Sequence, residues 1–503
     1  MCGAGLLYLK KHAPSISTVF TTHATVLGRS MAGAGRDIYA EMDQINAARE
    51  AANFNVTAKC SMETAAAREA DCFTTVSALT AHEAAAFLGR RPDLVTPNGL
   101  SLSAIPDYSG DRSAPAANKK KILAAVGRLL RRTLPENSRL FLISGRYEFR
   151  NKGIDLFLDA AAALNRSRSA GEPPIVALCA VMNGHNGTDE RALSGDPAQK
   201  PDDTPFWLTA HRVFDKVHDP ILNSCARLGL DNRPENAVQV VLNPALLDGQ
   251  DGLFGMTYDE VLSACDAGVF PSWYEPWGYT PQEAAANAVP TVTSDLAGFG
   301  LWAREQGENE GIVVLERSHA PYEATVKKLA SLMGELASLP EETLAKRRAA
   351  ARALAEKTDW STFYQHYDDA YALAAEQARQ RVATRPASRM DDEILTRVFT
   401  GTPSVTPLLH GFTSSVKLPD KLSRLDELAH NLWWTWHPEY EPLFRRVDPA
   451  LWDKVGHNAV ELLGKTDHSR FVELARDEGY AQLYGRALER FDADMKAPFD
   501  ESV

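Results

Sequence analysis

The stretch Gly145-Arg146-Tyr147-Glu148-Phe149-Arg150-Asn151-Lys152-Gly153 sets two cations, Arg146 and Lys152, six positions apart in a loop bounded by glycines. Such a loop can turn both charges toward one point, where a planar guanidinium fork and a compact ammonium would together hold a diphosphate leaving group. An isolated R-x5-K is more often a solvated basic loop, so the spacing alone does not decide. A second stretch, Tyr274-Glu275-Pro276-Trp277-Gly278-Tyr279-Thr280-Pro281-Gln282-Glu283, leads into the Ala-rich run Ala284 to Ala288. Thr280 is placed to cap a helix whose first turn holds Pro281. The free amides at that helix start, behind the turn at Gly278, form an anion site that needs no net positive charge. Glu275 lies in the loop, where a carboxylate could accept hydrogen bonds from sugar hydroxyls. Glu283 is placed in the first helical turn, where it could bind a ribose diol or simply complement the helix dipole.

The elements that must position these groups read as parallel α/β layers. Ile16 to Thr22, Cys72 to Val76 and Asp93 to Val95 are short strand runs, with helical stretches at Cys60 to Ala70 and Thr80 to Leu88 between them. A second series follows the basic helix Asn118 to Arg132: strands at Arg139 to Ser144, Ile175 to Val181, Val238 to Leu242, Gly268 to Phe270 and Thr291 to Thr293, with a helix at Ile154 to Asn165. In parallel sheets ligands bind beyond the carboxyl ends of the strands, so two facing sheets make a cleft. Both candidate loops fall just after strands. The Asn-, Gly-, Asp-, Pro- and Ser-rich segment 183–206 has no assignment.

The chain is long enough for two to four domains at roughly 150 residues each. Lys plus Arg number 54 and Asp plus Glu 66, a formal charge of −12. So acidic a chain is a poor non-specific partner for nucleic acid, which is gripped by neutralising phosphates. A neutral polymer such as a sugar chain is compatible. The six Cys (2, 60, 72, 179, 225 and 265) show no CxxC spacing and read as reduced thilols of a cytoplasmic protein, neither a zinc site nor a disulfide framework. No apolar run reaches the length of a membrane span, and Leu6 to Leu9 is too short for a signal peptide.

Four strings in one order, FTTHATVLGR (Phe20 to Arg29), VTPNGL (Val95 to Leu100), GRYEFRNKG and YEPWGYTPQE, resemble the eukaryotic-type glycogen (starch) synthase family over residues 16 to about 380. The resemblance implies a GT-B-like pair of Rossmann-type domains and retaining transfer of glucose from UDP-glucose to the non-reducing 4-hydroxyl of an α-1,4-glucan such as glycogen. No metal or other cofactor is expected. By position, His23 would touch the transferred glucose, Arg29 would help bind the donor, and Arg146 and Lys152 would take the diphosphate. Glu275 would contact the glucose hydroxyls, with Trp277, Gly278 and the Tyr279-Thr280 backbone beside sugar and phosphates. A lone His after a strand is more often structural; within FTTHAT it becomes a site candidate. Retention could use a carboxylate nucleophile, but the resemblance implies front-face attack with Glu275 as a hydroxyl binder. Donors aimed at the leaving oxygen contribute about 3–4 kcal/mol each in a dry site.

Three departures accompany the resemblance. Nothing before Ser15 corresponds to the family's first strand and its Gly-rich turn with a Lys, so a front part of the amino-terminal Rossmann domain is expected to be missing and its sheet to expose apolar edges. Ala104 to Ala117 lacks the family's glucose 6-phosphate cluster, and Lys346, Arg347, Arg348 and Arg352 read as a thin solvated basic face, so activation by that effector is not expected. Leu422 to Leu463, with Trp433, Trp434 and Trp436, is similar to the amino-terminal helical module of bacterial α-glucan phosphorylases. The tryptophans read more readily as a helix-packing core than as a sugar platform.

The expected organisation is therefore an incomplete acceptor-side Rossmann-like domain at 1–136, a donor-nucleotide domain at 137–330, closing helices at 331–384, a Pro/Thr/Ser-rich linker at 385–418 and a helical module at 419–503, a synthase–phosphorylase fusion cut at both ends. An inactive glucan-binding fragment is the competing expectation. UDP release in the presence of glycogen separates the two. Expected partners are the nucleotide sugar and the glucan; nucleic acid and membrane are not expected, and a homo-oligomer is left open.

Overall fold

The computed structural model describes residues 2–169, 171–194, 207–384 and 450. The expected linker and all of the carboxyl-terminal module but residue 450, Trp433, Trp434 and Trp436 included, lie outside the described residues, as do residues 195–206.

β-Branched and apolar runs with no polar alternation form strands buried on both faces, and these assemble into parallel sheets. Three short strands, β1 (Val19–Thr22), β2 (Cys72–Thr75) and β3 (Leu94–Val95), pair in parallel in that order. One face packs through Phe20 and Phe73 onto Ala67, Ala84 and Leu88 of the helices Thr57–Glu69 and Ala78–Leu88. The other is covered by Ala370 and Ala374 of the long helix Trp360–Thr384. On the edge strands, Val19, Phe20 and Thr21 are half-buried and Val95 is exposed, whereas every residue of β2 is buried.

The larger sheet contains β4 (Arg139–Arg146), β5 (Ile175–Met182), β8 (Val238–Asn243), β9 (Ala267–Val269), β10 (Thr291–Ser294) and β11 (Ile312–Leu315), ordered β11-β10-β9-β4-β5-β8 and parallel throughout. The remaining strands, β6 (His185–Thr188) and β7 (His211–Val213), form an antiparallel ribbon inside the segment that sequence left unassigned. Helices Ile154–Ser167 and Tyr322–Ser338 cover one face of the large sheet, and Ser113–Leu130 and Tyr258–Ala264 the other. From β4 the chain winds outward through β5 and β8 on one side, then returns and winds outward through β9, β10 and β11 on the other. The strand order therefore reverses between β4 and β9, the crevice where open α/β sheets take their ligands. Both candidate loops follow these two strands.

Three expectations are corrected. First, β4 runs two residues further than the apolar run predicts, in register with β5 as far as Arg146 opposite Met182, so Arg146 ends the strand rather than lying in the loop. Second, the Arg-bearing helix Glu341–Glu356 is not a solvated basic face. Arg348 and Arg352 are buried because that helix packs its inner side toward the sheet. Arg348 pairs with Glu341 and, at 3.6 Å, with Asp266. Arg352 donates to the carbonyls of Ala286 (2.7 Å) and Ile105 (3.2 Å), satisfying a helix end that would otherwise lack partners. Only Lys346 of the four is exposed, paired with Glu342; Arg347 reaches Glu335. Third, β11 extends the large sheet beyond the last strand expected from sequence.

Candidate donor site at the sheet's switch point

Close backbone contact brings the two candidate loops together. The amides of Trp273 and Tyr274 both donate to the carbonyl of Asn151, at 2.8 and 3.2 Å. Gly153, at φ +71°, lies so near Pro271 that a Cβ there would stand 2.0 Å from its carbonyl oxygen. Only glycine combines that φ with that approach. Glu275 is fixed in turn: its amide donates to Leu296 O (3.2 Å) and its carbonyl accepts from the Gly298 amide (3.0 Å).

Lys152 runs back over the end of β4. Its Cε lies 3.4 Å from the position a Cβ would take at Gly145, beside Arg146. Its ammonium is hydrogen-bonded to the Glu275 carboxylate, both side chains mostly buried. Its charge also favours the ionised form of Glu283, although burial dominates and holds that carboxyl above the usual carboxylate range. Lys152 thus sits among the end of β4, Glu275 and the helix carrying Glu283; the sequence expectation that Arg146 turns to the same point is not what the described contacts record. Arg146 is half exposed and pairs with Glu148 at 2.9 Å.

The helix after the second loop spans Tyr279–Ala286, so it begins before the expected Thr280 cap. Gly278, at φ +111°, occupies the cap, with Thr280 at the second and Pro281 at the third helical position. A Cβ at Gly278 would meet Pro281 and Glu275 side-chain atoms at 3.2 and 3.3 Å. No side chain caps this helix start. Starting at Tyr279 moves Glu283 into the second turn, where it shares a hydrogen bond with Tyr258, itself 3.0 Å from Ser144. Tyr279 is exposed and Thr280 half-buried.

The Trp277 ring lies in the apolar core. It is 3% exposed, edge-on to Phe299 and Phe363, and its indole N–H donates to Gln282 Oε1 at 2.8 Å. Gln282 in turn donates to the Asn98 carbonyl (3.0 Å), linking the YEPWGYTPQE and VTPNGL segments. Any contact from Trp277 to a donor must therefore come from its backbone.

His23 and Arg29 come from the small sheet. His23 follows β1, Thr25 caps the helix Val26–Gly33, and Arg29 lies on that helix; His23 and Arg29 are both exposed. Partial burial and then the Arg29 charge lower the His23 pKa, favouring neutral imidazole. Sequence reasoning missed Asn151, Tyr258 and Glu83, whose roles depend on backbone approach or on burial. Among the described residues no three His, Cys, Asp or Glu side chains gather closely enough to hold a metal ion, and no helix is long and apolar enough to cross a membrane.

The chain has two parallel α/β layers, and the strand-order reversal of the larger one brings the Lys152–Glu275 pair close to a helix start that no side chain caps. A family model described as "Glycogen synthase" matches residues 1–196 and 197–418, so the chain belongs to the glycogen synthase family. A second model, "Protein of unknown function (DUF3417)", matches residues 418–502. Among curated relatives, glycogen [starch] synthase of Caenorhabditis elegans is 31% identical over 433 residues, covering 74% of this chain and 64% of that one. Isoform 2 of Saccharomyces cerevisiae is 29% identical over 74% of this chain and 63% of its own length. The liver enzyme of Rattus norvegicus is 30% identical over 75% and 61%. The chain thus spans less than two thirds of the length of these relatives. Among solved structures, sucrose-phosphate synthase from Thermosynechococcus elongatus overlaps 70% of this chain and 67% of its own, at 15% identity and a TM-score of 0.40.

Proposed function

We propose that the chain is a glycogen synthase-type retaining glucosyltransferase that moves glucose from UDP-glucose to the non-reducing 4-hydroxyl of an α-1,4-glucan. The observation that carries this reading is the convergence of Lys152, Glu275 and an uncapped helix start at the β4/β9 switch point, in a chain of this family.

Breaking the bond from glucose to UDP places negative charge on the β-phosphate and oxocarbenium character on the sugar. In this reading Arg146, Lys152 and the free amides at Tyr279 and Thr280 meet the phosphate charge, so no metal is required. Glu275 accepts hydrogen bonds from the glucose hydroxyls once Lys152 is shared with the diphosphate. The acceptor hydroxyl attacks from the face the nucleotide leaves, which retains configuration. Neutral His23 touches the glucose, Arg29 assists donor binding from the small sheet, and Glu283 faces the ribose.

For residues 419–503 we infer a module of the kind that begins bacterial α-glucan phosphorylases, supported by the Trp-rich string alone, and assign it no phosphorylase activity. The free thiols of Cys60, Cys72, Cys179, Cys225 and Cys265 support a cytoplasmic setting. UDP release from UDP-glucose with glycogen present tests the proposal: sustained release is expected, whereas co-sedimentation with glycogen without release would point to a binding fragment.

A further inference from the structure

Glu83, on the helix Ala78–Leu88, is a carboxyl with no exposed surface and no part in the chemistry above. Its Oε1 accepts from the Thr25 amide (3.0 Å), the Thr25 hydroxyl and the Tyr274 hydroxyl (3.1 Å). Its Oε2 has no partner. Thr25 caps the helix that carries Arg29 and stands two residues after His23; Tyr274 immediately precedes Glu275. One side chain therefore bonds both the turn from the small sheet and the loop from the large one. The fit is close: a Cβ at Gly28 would lie 2.2 Å from Glu83 Oε1.

The surroundings are apolar. Tyr274 packs with Leu27, Met31, Ile38, Met42 and Phe87, and the Tyr39 ring stacks on it at 6.2 Å. The Tyr39 hydroxyl is a second buried polar atom without a partner. The charged and titratable groups that act on this cluster are Glu63 on Glu83, Arg29 on Tyr274, and Asp37 and Glu275 on Tyr39. Three of those four are acidic, and no cation bonds Glu83. An ionised Glu83 would thus be a buried charge with all three of its hydrogen bonds on one oxygen.

We propose that Glu83 is a positioning residue that holds the His23–Arg29 turn against the Glu275 loop while buried and neutral, so that donor binding weakens when its proton is lost. On that loss the cost of keeping the charge from water outweighs the stronger hydrogen bonds and opens this contact. This rests on the glucosyl-transfer reading for the donor but not for the coupling. Burial pushes the Glu83 pKa up to about 7, against the weaker opposing pull of its Thr25 and Tyr274 hydrogen bonds. The carboxyl therefore changes state near neutral pH.

Two measurements on the full chain test this. In Glu83→Gln the amide oxygen can accept the same bonds and the NH2 stands where the acid proton would be, so the variant imitates the neutral acid. The UDP-glucose KM of the parent should rise several-fold between about pH 6 and about pH 8, while that of Glu83→Gln stays level. Parallel rises in both proteins overturn the proposal. The second measurement needs no turnover and uses Tyr274→Phe, which deletes one hydroxyl. Hydrogen exchange without substrates should quicken in both 23–30 and 273–277; quickening confined to 273–277 overturns the coupling. If the parent releases no UDP, the exchange result decides alone, and only the glucosyl-transfer reading falls.

Discussion

The six-stranded and three-stranded sheets each end in loops that carry candidate site residues, yet the loops are supported by different means. In the large sheet β4 and β5 run eight residues each, and their central positions are apolar and buried under helices on both faces. Arg146 and the loop to Lys152 stand on that platform, and backbone contacts at Asn151 and Gly153 fix the geometry. In the small sheet β1 and β2 have four residues each, half of them threonine. Its turn is held by buried carboxyls: Glu83 on Thr25, and Glu63 on the Thr22 hydroxyl (2.7 Å) and the Val26 amide (2.9 Å). Packing does not titrate; hydrogen-bonded carboxyls do. The contrast lies in the supports: the platform under the large-sheet loop is apolar packing and should hold its strength across neutral pH, whereas the small-sheet turn leans on a carboxyl that titrates there.

The largest effect should come from weakening the platform. Phe157 is wholly buried among β4, β5 and the helices covering them. Phe157→Ala should cost about 3–5 kcal/mol in denaturant unfolding, nearly independent of pH. A strongly pH-dependent loss would break the contrast between the two halves.

A smaller effect should separate the halves by pH. The folded-state pKa of Glu83 is raised, so the folded chain holds its proton over a range where the unfolded chain has lost it. Its stabilising contribution is full below the ordinary value of 4.5 and is lost as pH rises through about 7. Relative to Glu83→Gln, the parent should therefore lose melting temperature between about pH 5 and about pH 8. A constant difference would mean that this carboxyl does not titrate as described.

The smallest effect sharpens the same point. Thr25 accepts from the Gly28 amide at 2.9 Å and donates to Glu83. Thr25→Ala should cost about 1 kcal/mol for the lost cap. In calorimetry it should also weaken UDP-glucose binding more than an exposed substitution of equal cost.

Much of this was legible in the residues. The apolar runs at Ile175 and Val238 announce strands because nothing in them alternates, and both candidate loops follow such runs. The Gly-bounded spacing anticipates Lys152 folding back over the strand end, but not Arg146 as a strand residue paired with Glu148. What was not legible depends on tertiary approach. Arg348 and Arg352 look like surface charge until their helix is seen to bury that face. Trp277 in a loop string suggests a ligand contact until its ring is found in the core beside Phe299. The helix start at Tyr279 rather than after Thr280 follows from the positive φ at Gly278, which the string does not reveal. The run Ile312-Val313-Val314-Leu315 carries a strand signal of its own, four apolar residues after Gly311, and forms β11.

The proposed function has Arg146 at the end of β4 and Lys152 in the loop after it meet the charge of a departing nucleotide. Its most direct test is steady-state UDP release by the parent and Arg146→Ala with glycogen as acceptor. The account predicts a fall in kcat of roughly 100-fold or more, with a much smaller rise in the UDP-glucose KM. An unchanged kcat would contradict it, because Arg146 would then have no part in the transition state.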